Sequence, residues 1–443
     1  MADRLVVIGG DAAGMTAATN ARRGRPDLEI VVLEKGTYVS YSACGIPYLV
    51  SGSVGALEDL IVRTPQDLRD AFRIDVRTRH EVVGIDLDTR RLEVRAVDQE
   101  RTLHLGFDLL HIATGSRPMR PDLPGIDGPG IYGVQTLDDA RALLDAVEAG
   151  RCRAVTVVGA GYIGLEMAEA FVLRGAKVTL VDSNAQPMGT LDPDMGVHVG
   201  HAIRRFDIDL RLGTRVQGFE PGRVLTASGP VDADLVVLGL GVAPNSAIGL
   251  DAGLEAGAKG AIKVDHRQRT SREGIYSAGD CADTIHQVSG QRVLVALGTV
   301  ANKTGRVAGV NLGGGYASFP GVLGTAVTRV CDIEIARTGL SMAQADAAGI
   351  EYEVGSVEAT TRAGYYPGAK PLHAKVLAER GTGRLIGGQL VGADRSGKRI
   401  DTLATAITAR MTATQLVDLD LAYAPAVSPL WDAFQLAARS TLS

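Results

Sequence analysis

Residues 154–182 read AVTVVGAGYIGLEMAEAFVLRGAKVTLVD, and their pattern decides the fold. An apolar run ends in Gly159-Ala160-Gly161-Tyr162-Ile163-Gly164, a helix-forming stretch follows, and a second apolar run, Lys177 to Val181, closes on Asp182. Such a strand–turn–helix–strand order suits a dinucleotide. Glycines let the backbone approach a pyrophosphate, the helix N-terminus offers unpaired N–H groups, and the carboxylate takes ribose hydroxyls. The same device stands 150 residues earlier, in RLVVIGGDAAGMTAATNARRGRPDLEIVVLEKG. There Leu5–Ile8 and Glu29–Leu33 are the predicted strands, and Glu34 is the terminal acid. Gly9 and Gly14 match Gly159 and Gly164, while Asp11 takes the place of the second glycine. Its side chain must therefore point away from a bound phosphate.

Three further segments extend the pattern. FDLLHIATGSRPMRPDLPG (107–125) is a strand, an Ala-Thr-Gly-Ser turn and a Pro-punctuated connection, and DADLVVLGLGVAPNS (232–246) repeats that order. TSREGIYSAGDCAD (270–283) reads as a strand ending in Gly279-Asp280, where an aspartate can accept from a ribitol hydroxyl. With 443 residues the chain is too long for one core, so two or three domains are expected. The 55 glycines, roughly 12 % against an average near 7 %, imply many tight turns and close backbone approaches.

A net charge of −5 without any basic run argues against nucleic-acid or anionic-membrane binding. No apolar run reaches a membrane-span length, and the immediate first strand leaves no room for a signal peptide. The expectation is a soluble, cytoplasmic protein. Cys44, Cys152, Cys281 and Cys331 are far apart, which argues against a disulfide framework or a cysteine zinc site; no metal is expected. Cys152, Cys281 and Cys331, the last placed within one alternating strand TAVTRVCDIEIA, read as packing residues.

Together these motifs resemble the flavin-dependent pyridine nucleotide-disulfide oxidoreductases, over essentially the whole chain. The resemblance implies an α/β fold with two Rossmann-like domains of the glutathione-reductase type and a C-terminal α+β dimerisation domain. Residues 1–113 and 246–320 would form the FAD-binding domain, 114–245 the NAD(P)-binding domain and 321–443 the interface domain. It places FAD against Gly9, Gly10, Ala13, Gly14, Glu34, Lys35, Val82, Ala113, Thr114, Gly115, Gly279, Asp280, Ala296 and Thr299. The nicotinamide nucleotide falls on Gly159, Gly161, Tyr162, Ile163, Gly164, Asp182 and Gly241. Asp182 repels a 2′-phosphate and the following SNAQP offers no Arg or Lys, so NADH is favoured over NADPH.

The dithiol reductases of this family carry Cys-x4-Cys where this chain has VSYSACGIPY (39–48), with one cysteine. That stretch resembles the single-cysteine subgroup: coenzyme A-disulfide reductases above all, with NADH oxidases, NADH peroxidases and persulfide or polysulfide reductases. Pro47 suits the first turn of a helix beginning near Cys44, whose end would stabilise a thiolate. The histidine of the oxidases and peroxidases is replaced by Ala12. By position, Tyr365 in TRAGYYPGAKPLHAKV and Tyr423 in LAYAPAVSPLWDAF are the partner subunit's tyrosines that reach the cysteine, making the active site a homodimer's. Thr16, Asn20 and Arg23 share one helical face that could hold the ADP moiety of coenzyme A. Ser40, Asn302 and Trp431 align with further contacts, whereas Phe72 stands where the family can offer a lysine. The implied activity is NADH-dependent reduction of a small disulfide, persulfide or polysulfide through Cys44. Alternatives are an NADH oxidase, a reductase of a protein electron acceptor such as a ferredoxin, and a redox-sensing flavoprotein.

Overall fold

In the computed structural model, which describes residues 3–99 and 101–442, the two glycine turns open two copies of one arrangement. The first sheet runs Ile275–Ser277, Leu109–Ile112, Arg4–Ile8, Glu29–Leu33, Asp75–Arg77, all parallel. The second runs Ile131–Tyr132, Leu235–Leu238, Ala154–Val158, Lys177–Val181, Ile208–Arg211, also parallel. In both, the strand leading to the glycine turn is central and buried on both faces, which is why it is apolar but for Arg4 at the entry of one and Thr156 within the other. Each sheet also carries a three-stranded antiparallel ribbon at the same point, His80–Gly106 in the first and Val216–Asp232 in the second.

The repeat extends to atomic detail. Gly9 has φ +104° and Gly159 φ +103°. A Cβ on Gly9 would lie 2.1 Å from the carbonyl oxygen of Ala113, and one on Gly159 2.3 Å from that of Gly239. On Gly14 and Gly164 it would lie 1.9 and 1.8 Å from the carbonyls of Gly9 and Gly159. These four positions accept no side chain, so the glycines are dictated by packing as well as by any ligand.

The chain crosses between the two sheets twice. The crossings are the two Gly-to-Pro segments of the sequence, and they pair with each other: Ser116–Pro118 is antiparallel to Val242–Pro244. The Thr114 hydroxyl donates to Asn245 O at 2.5 Å, and the Asn245 amide returns a bond to Thr114 O at 3.0 Å.

The third unit is an antiparallel sheet in the order Ala326–Val330, Ile333–Gly339, Leu385–Ala393, Pro371–Glu379, Tyr352–Thr360. Helices Ile400–Thr408 and Ala433–Ser440 share its core. TAVTRVCDIEIA is here two strands rather than one. Val330 pairs with Ile333 across a two-residue turn, and Cys331 at that turn has φ +57°. Alternation continues on both sides of so short a turn, which is why periodicity alone joins the strands. Among the described residues, no helix is long and apolar enough to cross a membrane.

Candidate active site

Each glycine turn ends at the N-terminus of a long helix, Ala12–Gly24 or Tyr162–Leu173, whose first amides receive no capping bond from a side chain. Uncapped amides at that point are an anion cradle. The two terminal acids are held alike. Glu34 accepts from Gly10 N–H at 2.8 Å and Gly36 N–H at 2.7 Å. Asp182 accepts from Ala160 N–H at 2.6 Å and Asn184 N–H at 2.7 Å. The Asn184 side chain also donates to Asp182, at 2.8 Å. Gly161 faces open space where a Cβ would project, which leaves room for a phosphate.

Of the other residues expected at the flavin, Gly279 donates to the Thr304 hydroxyl at 3.2 Å and Asp280 accepts from the Ser116 hydroxyl at 2.9 Å. Burial pushes the Asp280 carboxyl above its ordinary range. Ala13 is buried, Thr114 and Gly115 lie at the first crossing, Gly241 at the second, and Val82 is half-buried on the ribbon. Ala296 and Thr299 flank the start of helix Gly298–Leu312, while Lys35 is exposed. Two uncapped helix ends, each with a carboxylate held beside it, fit a flavin and a nicotinamide dinucleotide.

Cys44 lies in a single tight turn, Ala43–Gly45, that leads into helix Ile46–Ser51 with Pro47 in its first turn. The expected helix is present. Its apolar side, Ile46, Leu49 and Val50, shares a core with Leu165, Ala168 and Phe171 of the second fingerprint helix. Arg174 Nε donates to Val50 O at 2.7 Å across the same contact. The cysteine segment of one nucleotide unit is thus docked on the other.

Cys44 is free and exposed. Its thiol is not poised as a thiolate in the chain alone. Crowding around it pushes the pKa up, and Glu166, Asp11 and Asp280 push in the same direction. In the chain alone, burial first and these carboxyl groups second work against the thiolate stabilisation expected of the short helix end.

Glu166 was not singled out from the sequence. It sits one turn along the apolar helix Tyr162–Leu173, accepts from the Thr328 hydroxyl, and is pushed up by burial. Its partner at i+3, Glu169, accepts from Cys331 N–H at 2.9 Å. Two acids on one face of an otherwise apolar helix were the available signal.

Tyr365 and Tyr423 lie together in one chain. Ala363 N–H donates to Pro425 O at 3.1 Å, joining their two segments, and a hydrogen bond to Tyr365 raises the Tyr423 phenol. Both are exposed, Tyr365 at 78 %. Within one chain their partner is each other.

Of the coenzyme A face, Thr16 Oγ1 donates to Asn302 Oδ1 at 2.9 Å and Asn20 bonds back to Thr16 O at 2.8 Å. Arg23 is exposed at the end of that face. Its neighbour Arg22 is spent on the backbone oxygens of Phe72, Pro26 and Arg73. Phe72, in the lysine position, lies under the Arg63 guanidinium at 4.8 Å. Ser40 belongs to the cysteine loop; Trp431 lies on the third unit, with Arg439 6.0 Å from its ring.

Residues 3–305 match the family model for pyridine nucleotide-disulphide oxidoreductases, and 325–433 match that family's dimerisation domain. A Pyrococcus furiosus protein named NAD(P)H sulfur oxidoreductase (CoA-dependent) is 37 % identical over 98 % of each chain. An NADH oxidase of Methanocaldococcus jannaschii is 36 % identical over 99 % of this chain and 98 % of its own. The solved NAD-dependent persulfide reductase from A. fulgidus has a TM-score of 0.95 at 38 % identity, covering 99 % of this chain and 83 % of its own. Paired dinucleotide turns, the cysteine between them and the matches over both halves agree: the chain belongs to the pyridine nucleotide-disulphide oxidoreductase family, flavoenzymes that use NAD(P)H.

Proposed function

We propose that this protein is a homodimeric, NADH-dependent flavoenzyme that reduces a small disulfide, persulfide or polysulfide through Cys44. The observation that carries this reading is one free, exposed cysteine fixed between two dinucleotide cradles. FAD, when bound, supplies the two-electron link between nicotinamide and sulfur. Cys44 Sγ attacks the substrate S–S bond, forming a Cys44 mixed disulfide and releasing the other sulfur as a thiol. Tyr423 of the partner subunit, with Tyr365 of the partner subunit beside it, delivers the proton that this leaving sulfur takes up. The hydrogen bond to Tyr365 holds the proton on the Tyr423 phenol until such an acceptor arrives. Two electrons then split the mixed disulfide and free the second thiol. The substrate brings the second sulfur itself, so one protein cysteine suffices.

Asp182, held by Asn184, favours NADH, since its carboxylate repels a 2′-phosphate and the SNAQP that follows offers no Arg or Lys. The face of Thr16, Asn20, Arg23 and Asn302 would hold a nucleotide-bearing thiol such as coenzyme A, with Ser40 and Trp431 completing the site. Four free cysteines suit the reducing cytoplasm.

The test follows NADH consumption anaerobically with coenzyme A disulfide, coenzyme A persulfide or polysulfide, and separately with oxygen, in wild type and Cys44→Ser. Turnover with a sulfur acceptor should fall about a thousandfold or more in Cys44→Ser, while flavin reduction by NADH persists. Full sulfur turnover in Cys44→Ser would sink the proposal. Fast oxygen consumption without sulfur turnover would favour an NADH oxidase, the activity named for the M. jannaschii relative.

A further inference from the structure

Asp11 stands where a dinucleotide turn ordinarily has its second glycine, and the structure shows where its side chain goes. It occupies the N-cap position of helix Ala12–Gly24 yet makes no capping bond to it. Instead its Oδ1 accepts from Tyr41 N–H at 3.1 Å. One residue earlier, Ser40 N–H donates to Gly10 O at 2.9 Å. Two consecutive bonds therefore lash residues 40–41 to the turn at 10–11. On its other side the same loop is tied down by Ser42 N–H to Leu60 O and Val62 N–H to Ser40 O, both 2.8 Å. Cys44 follows three residues after the lashing. Ser40 takes φ +48° to meet both ties, a conformation that costs energy for a residue with a side chain.

The charges acting on Asp11 and on Cys44 have one sign. Asp11 faces Glu34 and Asp280, and Cys44 faces Glu166, Asp11 and Asp280. Tyr41 and Tyr48 are the neighbouring phenols, with Glu169 and Arg329 acting on Tyr48. The matching position in the second turn, Gly161, has no side chain and no cysteine loop to hold.

We propose that Asp11 is a positioning residue for Cys44: its carboxyl fastens the cysteine loop to the flavin's glycine turn, and its charge restrains ionisation of the thiol. This rests on the reading of Cys44 as the reactive sulfur. Without a capping bond from Asp11, the next amides, of Ala13 and Gly14, are left to a pyrophosphate, for which a capping Asp would compete.

The experiment measures the pH dependence of Cys44 alkylation by iodoacetamide in reduced, FAD-loaded protein, with the alkylated residue identified by mass. Asp11→Asn keeps the shape and the oxygen acceptor but removes the charge. Its profile should move to lower pH, raising the rate near neutrality about threefold, with the FAD content of wild type. Asp11→Ala removes both, and should in addition expose the 40–48 segment to limited proteolysis. A profile for Asp11→Asn that superimposes on wild type overturns the proposal, whether or not Asp11→Ala folds. Wild type in which Cys44 is never alkylated would instead overturn the reading of Cys44 itself.

Discussion

His111 shows what a single residue contributes when its surroundings are fixed by the sheet. It lies on the inner strand Leu109–Ile112, opposite Val7 and Tyr276, and is fully buried. Neither ring nitrogen has a hydrogen-bond partner among the described residues. Burial lowers its pKa to about 4 from an ordinary 6.5. Above pH 6.5 the ring is neutral in both folded and unfolded chains, and this stability is fully present. As pH falls from 6.5 towards 4 the unfolded chain takes up a proton that the folded chain refuses, so stability is lost. Between pH 6.5 and 5 the loss is about 2 kcal/mol. We expect His111→Leu to show a smaller drop in thermal midpoint over that interval; an unchanged drop would mean that other groups carry it. The same scale holds Asp11, whose carboxyl burial pushes up to about 6. The sequence marked it only as a missing glycine. Its bond to Tyr41 N–H spans 30 residues of chain, so no local pattern could reveal it.

At the scale of elements, the contact between helices Ala12–Gly24 and Gly298–Leu312 shapes the flavin side of the site. Gly305 and Gly309 face Ala13 and Ala17 so closely that a Cβ would lie 2.5 and 2.4 Å from their carbonyl oxygens. Gly313 repeats the contact at Ala21, 3.1 Å. Spaced by four, these small residues form one seam on each helix. Close approach is what lets Thr16 reach Asn302. Gly309→Ala gains about 1 kcal/mol of helix propensity but forces the helices apart at a cost of about 1–3 kcal/mol. The second effect should win, because the obstacle is backbone. We expect a lower thermal midpoint and weaker FAD retention, read from the flavin-to-protein absorbance ratio; a higher midpoint would show that the helices can separate freely. The GRVAGVNLGG stretch displayed this spacing, but the partner helix lies nearly three hundred residues away.

For the molecule as a whole, one core runs through all three units. Ile46 and Leu49 of the cysteine helix, Leu165 and Phe171 of the second nucleotide unit, and Val330 and Ile335 of the antiparallel sheet belong to it. A buried ion cluster reinforces the last junction. Lys375 Nζ, 2 % exposed, is 3.0 Å from Asp192 and 2.8 Å from Asp194. Asp192 also accepts from Met342 N–H at 2.9 Å, and its own N–H donates to Gln389 at 2.9 Å. Lys375→Met would strand the buried Asp192 carboxylate, and we expect a loss of about 3–5 kcal/mol in unfolding free energy. Lys375→Met with Asp192→Leu should recover part of it; no recovery would mean that the lysine acts through packing of its stem. Cys44 is held by this shared core, so a loosened junction should also slow its chemistry.

The two nucleotide turns, the acids that close them and the isolation of Cys44 were legible in the sequence, because strand, glycine turn and helix are local and their spacing is set by backbone geometry. The sequence alone did not reveal that the two Gly-to-Pro connections pair as a double crossing, that Cys331 turns a hairpin, or that Glu166 faces Cys44. Nor did it show that carboxyl groups oppose the thiolate. Each of these depends on residues brought together from distant parts of the chain, and on burial, which turns a charge of no consequence in water into one that decides a protonation state.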